Sequence, residues 1–222
     1  MPRVSDDYYE KKRKEIIDAA YRVCVRKPIT SVVMKDVIAE TGFSHGVVYK
    51  YYKDLDEVLC DLVIRINSEN KMDERLEAIL TDSKSKEWQE VIRELCNMMA
   101  DHLQSTEMDV LKISLYSDML AMSDPERVSR IAERIGEDNQ SPLLVVVGFM
   151  YEYLFKIIQE SKMKPVKSVD EIIEFMIAAY HGIQTGYVLS ASYDADQLRG
   201  KYDPRKMFSC LAESIISMMG GK

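Results

Sequence analysis

The chain has 222 residues, 46% hydrophobic and 30% charged, with a formal net charge of -7. That is enough for one or two domains with a real core, and it is an ordinary soluble composition. Few helix breakers (six prolines and nine glycines) beside fourteen methionines and abundant Leu, Ile, Glu and Lys predict an all-α protein.

The N-terminal residues MPRVSDDYYEKKRK are polar and carry no apolar signal segment. The longest apolar run, Leu143 to Met150, is far short of a membrane span, so a cytoplasmic protein with no membrane partner is expected. Four cysteines, at 24, 60, 96 and 210, form no CxxC pair and read as reduced, buried thiols.

Taken in chain order, Asp6 to Arg26 places Ile16, Ile17, Ala20, Val23 and Cys24 at helical spacing, and Lys27-Pro28 stops the helix. Thr30 and Ser31 are candidate caps for a second helix through Glu40, which Gly42 ends in a left-handed conformation. Ser44 caps a short third helix to about Tyr51, and Asp54 with Glu57 reads as a capping box for a long fourth. Further helices follow at Lys86 to Leu103, Asp109 to Met122, Asp124 to about Gly136 and Pro142 to Lys162. Ser168 with Glu171 starts another to about Ser192, and Asp203-Pro204 opens the last, ending at Gly220-Gly221.

Charge is uneven along this order. From Tyr8 to Lys53, ten Lys/Arg stand against five Asp/Glu, a surplus of five, so the rest of the chain carries -12. Two short helices joined by Thr41-Gly42-Phe43 form a helix-turn-helix pattern, whose second helix fits a DNA major groove. Between Thr41 and Lys53 there is no acidic residue. The segment reads as a nucleic-acid reader or, more plainly, as a solvated helix face. The run Lys11 to Lys14 is equally a solvated helix end or a phosphate contact.

The segments EIIDAAYRVC and MKDVIAETGFSHGVVYKYYKDLDEVL (34–59) resemble the TetR family of one-component transcriptional regulators, over roughly residues 10–62. The resemblance implies a DNA-binding domain at 1–53, and a ligand-binding and dimerisation domain at 54–222 that follows the family only in length and helical character. It implies DNA contact by Lys35, Ser44, His45, Gly46, Val47, Tyr49, Lys50, Tyr51 and Lys53. Of the aromatic pair, Tyr51 is expected to face DNA and Tyr52 the core. Three positions depart from the family. Val47 replaces a hydroxyl residue, Leu55 replaces a lysine, and Ile38 replaces a small residue.

Candidate residues for a small-molecule effector are Trp88, Met99, His102, Met119, Phe149, Tyr153, Tyr180, His181 and Gln184. Each is otherwise explained as bundle core, and His102 and His181 as satisfied polar residues. In the family the last two helices pair as a homodimer interface. Here Ala178, Ala179, Gly182 and Gly186 are small enough for a close approach.

No glycine-rich phosphate loop, metal-spaced cluster or GxSxG motif is present, so neither an enzyme nor a cofactor is expected. The function implied is a DNA-binding transcriptional regulator, a repressor released from a palindromic operator by a lipophilic ligand. The alternative is a ligand-binding or protein-interaction bundle whose head no longer reads DNA.

Overall fold

The computed structural model describes residues 6–69, 72–136, 139–192 and 202–221. Among them the chain is all-α. The head carries α1 (Asp6–Arg26), α2 (Met34–Thr41), α3 (His45–Tyr51) and α4 (Leu55–Glu69). Then come α5 (Asp73–Asp82), α6 (Trp88–Ser105), α7 (Met108–Ser123), α8 (Pro125–Ile135), α9 (Pro142–Ser161), α10 (Val169–Ser192) and α11 (Pro204–Met218).

Local chemistry sets most helix starts. Asp124, Ser141 and Asp203 each accept a backbone N–H of the following first turn, with proline next in sequence at 125, 142 and 204. At α10 the Ser168 and Glu171 side chains each accept the other's backbone N–H, at 3.2 and 2.9 Å. At α4, Asp54 accepts Glu57 N–H at 2.9 Å, while the Glu57 carboxylate accepts Lys53 N–H at 2.7 Å.

The start of α2 corrects the sequence expectation. Thr30 and Ser31 lie in a 3-10 turn (Ile29–Ser31), and α2 begins only at Met34. The Asp36 carboxylate explains the shift, because it accepts Val33 N–H at 2.9 Å and the Lys27 ammonium at 2.6 Å. Those bonds hold it below the usual carboxylate range, the lysine contributing most. Helix α5 was not foreseen; the fourth helix ends at Glu69 and a separate helix follows.

The chain divides into two compact units. The first holds residues 1–69 and 109–140, the second 70–108 and 141–222. In the first, Ile16, Ala19, Ala20, Val37, Val48, Val58 and Leu62 form the centre of one apolar cluster. Ile113 and Leu120 of α7 and Ile131 of α8 complete it. Across the α4–α8 contact Arg127 bonds Asp56 at 2.6 Å, and the Cys60 thiol lies 3.8 Å from the Ile131 carbonyl. The compact unit that holds the head is therefore larger than residues 1–53.

In the second unit α6 packs most extensively on α11, α11 also on α10, and α10 on α9. Val91, Ile92, Leu95 and Leu103 of α6 and Phe208, Leu211 and Ile215 of α11 are all buried. Helix α9 is long and apolar enough to cross a membrane, yet Val146, Met150, Leu154 and Ile157 are buried in this unit. Of the cysteines, Cys24, Cys60 and Cys96 are buried as expected, whereas Cys210 is exposed on α11; all four are free thiols.

The cap of α10 carries a pH signature. Hydrogen bonds from Lys167 and then from Ser168 N–H hold the Glu171 carboxyl down at about 2, against an ordinary 4.5. The ionised form favours the folded state, so its contribution is complete above pH 4.5 and is lost as pH falls from 4.5 to about 2. Glu171→Gln should flatten the Tm-against-pH curve in that window, and calorimetry on both proteins checks it.

Candidate nucleic-acid interface

The turn before α3 is built from three residues. Gly42 adopts φ 69°, a conformation that side chains other than glycine rarely tolerate. The Thr41 hydroxyl donates to the Ile38 carbonyl at 2.8 Å and accepts Phe43 N–H at 3.0 Å. This geometry reverses the chain and fixes where α3 begins.

Ser44 occupies the N-cap of α3, as expected, but its hydroxyl caps nothing; its backbone carbonyl accepts Val47 and Val48 N–H at 3.0 and 3.2 Å. The exposed hydroxyl is left available to a ligand.

Helical periodicity then sorts α3 into two faces. Val48, Tyr51 and Tyr52 point into the core, while His45, Gly46, Val47, Tyr49 and Lys50 stand outward. Val47 is 38% exposed and Tyr49 49%. His45 stacks loosely on Tyr49, ring centroids 6.5 Å apart.

Tyr51 departs from the expectation for it. Its ring packs 4.7 Å from Tyr9 of α1 and is 9% exposed, so it is mainly a head-core residue. Tyr52 is buried, as expected. Its hydroxyl donates to Asp61 at 2.8 Å, and Arg13 lies over its ring while also bonding Asp61 at 2.5 Å. Burial, then the Asp61 bond, pushes this phenol far above the tyrosine range, so it stays neutral. Leu55, one of the three positions expected to depart from the resembled family, packs against the head cluster.

The electrostatics of the head follow from its ion pairs. Glu15 is bonded by Lys12 at 2.7 Å, Asp18 by Arg65 at 2.5 Å and Asp36 by Lys27 at 2.6 Å. Glu40 takes Arg22 at 2.6 Å and also Arg26, which together hold it below the usual carboxylate range. Lys12 additionally lies 4.2 Å over the Phe43 ring. Most acids of the head are thus already neutralised. Lys11, Lys14, Lys35, Lys50 and Lys53 have no carboxylate within ion-pair distance among the described residues. Lys50 rests 5.4 Å over the Tyr9 ring. Lys35 and Lys53 are exposed. Sequence reasoning passed over Val33, exposed at the N-cap of α2; nothing in the Val32-Val33 pair shows which one is buried.

The effector candidates separate. Met119 lies on α7 in the first unit and is exposed; the other eight belong to the second unit. Met99, Tyr153, Tyr180 and Gln184 are buried, and Trp88, His102, Phe149 and His181 half-buried. Phe149 stacks on Tyr153 at 5.6 Å, and Tyr180 meets His181 at 6.0 Å. Phe208, not foreseen, packs 6.1 Å from Tyr180. Burial raises the Tyr153 phenol to about 12. Burial, then Arg75, lowers His102, which keeps it neutral near pH 7.

No family model matches the sequence. The uncharacterised HTH-type transcriptional regulator YfiR of Bacillus subtilis is 27% identical over 185 residues, 82% of each chain. Among solved structures, the fatty acid degradation regulator FadR of Bacillus halodurans superposes with a TM-score of 0.63 at 16% identity, covering 95% of this chain and 97% of that one. A TetR-family transcriptional regulator of Mesorhizobium loti gives 0.58 at 15%, covering 94% and 96%. These likenesses agree with the Gly-Phe-Ser-x-Gly-x-x-Tyr-x-Tyr-Tyr order around the turn and with the two-sided α3. In fold this chain is similar to TetR-family transcriptional regulators over nearly its full length, and in sequence it is similar to an HTH-type transcriptional regulator over about four-fifths of it.

Proposed function

We propose that the protein acts in the cytoplasm as a homodimeric repressor that binds a palindromic operator and is released by a small lipophilic effector. The observation that carries this reading is the head's charge arrangement. Four acids, Glu15, Asp18, Asp36 and Glu40, already hold cations, while the outward face of α3 bears no acid and five lysines pair with no carboxylate among the described residues. Such a surface attracts phosphates despite the chain's net charge of -7. Val47 and Tyr49 offer base edges apolar contact, and His45 and the Ser44 hydroxyl offer hydrogen bonds. DNA contact lies within residues 1–53; effector binding and dimerisation lie within 54–222.

Dimerisation through a different helix pair from the last two is supported by exposed apolar side chains. On α9 Leu144, Tyr151 and Phe155 lie on one stripe with Gly148, and on α10 Phe175 and Leu189 lie on one with Ala178 and Gly182. Helical spacing puts each set on a single face, and an uncovered apolar face of this kind marks a protein interface. Gly186 serves another purpose, because an added Cβ would sit 2.7 Å from the Tyr202 ring. Two heads in a dimer read half-sites about one DNA turn (roughly 34 Å) apart. An effector releases the operator only by binding the non-binding conformation more tightly.

Titrating genomic fragments against the purified protein at several salt concentrations tests the reading. Selected palindromic fragments with affinity falling steeply with salt support it; weak binding without fragment preference defeats it. In the same assay Lys53→Ala should lower the slope of log affinity against log salt by about 1 per head, leaving sequence preference unchanged.

A further inference from the structure

The run Lys11 to Lys14 of α1 is split by the fold. Lys11 and Lys14 are exposed, whereas Lys12 and Arg13 are half-buried. Lys12 and Arg13 stand three and four residues after Tyr9, so the three share one face of α1. Each meets a residue that borders or ends α3. The Lys12 ammonium lies over the ring of Phe43, just before the helix, and Tyr9 packs on Tyr51, its last residue. Arg13 lies 4.8 Å over the ring of Tyr52, its C-cap. One face of α1 thus holds both ends of α3.

Tyr52 is the most directional of these anchors. Its N–H donates to the Val48 carbonyl at 3.1 Å and closes the helix, while its ring is buried. A buried phenol needs a partner for its hydroxyl, and Asp61 Oδ2 of α4 accepts it at 2.8 Å. The same oxygen accepts Arg13 Nη2 at 2.5 Å. One carboxylate oxygen therefore joins α1, α4 and the end of α3. A helix of seven residues with two buried side chains, Val48 and Tyr51, does not hold its own orientation. Apolar contact is non-directional, whereas a hydrogen bond from a buried hydroxyl fixes a distance and an angle. Binding side chains must be held to within about 0.5 Å by such supporting bonds.

We propose that Arg13 and Asp61 are positioning residues for operator recognition, acting through Tyr52 to fix the angle at which α3 enters the groove, with neither of them touching DNA. The inference rests on the reading of α3 as the DNA-reading helix. Arg13 bonds Asp61 and stacks on Tyr52, so its charge is engaged within the head, unlike that of Lys11 and Lys14. Asp61 gives the decisive sign. Removing an acid from a head that attracts phosphates strengthens DNA binding by charge alone, whereas loss of positioning weakens binding to the operator.

Asp61→Asn, Arg13→Met and Tyr52→Phe test it in the full-length protein. The probes are a palindromic fragment selected from genomic DNA by the wild type and a scrambled duplex of the same length. Binding is read by fluorescence anisotropy at several salt concentrations, well below each variant's Tm. Asp61→Asn and Arg13→Met are expected to bind the selected fragment about tenfold more weakly, and Tyr52→Phe about threefold. Affinity for the scrambled duplex should fall by less than about twofold, and Arg13→Met should keep the wild-type salt slope. A slope lower by about 1 per head in Arg13→Met overturns the proposal, because it marks a phosphate contact. Selected-fragment binding that is unchanged or tighter in Asp61→Asn or Tyr52→Phe also overturns it and leaves the DNA reading standing. An equal loss on both duplexes overturns it as general damage to the head. A wild type with no preference between the duplexes overturns both readings. Tyr52→Phe keeps the ring and the Arg13–Asp61 pair, so its result decides the question even where another variant fails to fold.

Discussion

Gly46→Leu is expected to keep the fold and abolish operator binding. An added Cβ at Gly46 meets no atom within 4 Å, and the residue is helical and exposed, so the free protein has room for a side chain to begin there. Helix propensity favours leucine over glycine by about 0.5–1 kcal/mol, so Tm should hold or rise. The same open space is where α3 must meet the DNA if the helix enters the groove. Loss of base contact is worth about 1–3 kcal/mol per head, so two heads together lose at least about 30-fold in affinity. Fluorescence anisotropy with an operator fragment, beside thermal unfolding, gives both readings. A stable variant with full affinity would show that the first turn of α3 is not the reading surface.

Ile113→Ala should produce the largest loss of stability, and it should appear in the head. Ile113 is buried against the cluster built from α1 to α4, although it lies on α7. Removing an isoleucine to alanine in such a core typically costs about 2–5 kcal/mol through lost burial and the cavity left behind. Urea unfolding measures the total, and hydrogen exchange localises it. Amides of residues 16–62 should lose protection, because α7 supplies part of the surface on which they pack. Unchanged protection there would mean that α7 is peripheral to the head core.

The two effects also mark what could and could not be read from sequence. Helix starts at α4, α8, α9, α10 and α11 were legible because each is set within four residues. Asp54, Asp124, Ser141, Ser168 and Asp203 accept N–H groups of the turn they begin. The same local logic misplaced the start of α2. There Asp36, paired with Lys27, bonded Val33 N–H and displaced the cap from Thr30 and Ser31. Helix α5 carried no comparable signal at its start, where Met72 occupies the cap without a side-chain bond.

At the site, the alternation of α3 was legible from its period, so Val48 and Tyr52 inward, and Gly46, Val47, Tyr49 and Lys50 outward, follow from helical geometry. Tyr51 was not, since its burial depends on Tyr9 arriving from α1. The count of five surplus charges on the head was a sequence fact; which lysines keep their charge free depended on the pairing of Lys12, Lys27 and the arginines.

The sequence by itself determined the all-α class, the helix-turn-helix with its glycine turn, and the family resemblance of residues 10–62. These rest on contacts between near neighbours in the chain, where spacing alone carries the geometry. Only the tertiary structure decided that α7 and α8 complete the head core, that Met119 falls in the first unit and the other effector candidates in the second, and that Gln184 is buried. Each depends on which helix faces packed together, and an amphipathic face specifies that it must be covered without naming the helix that covers it.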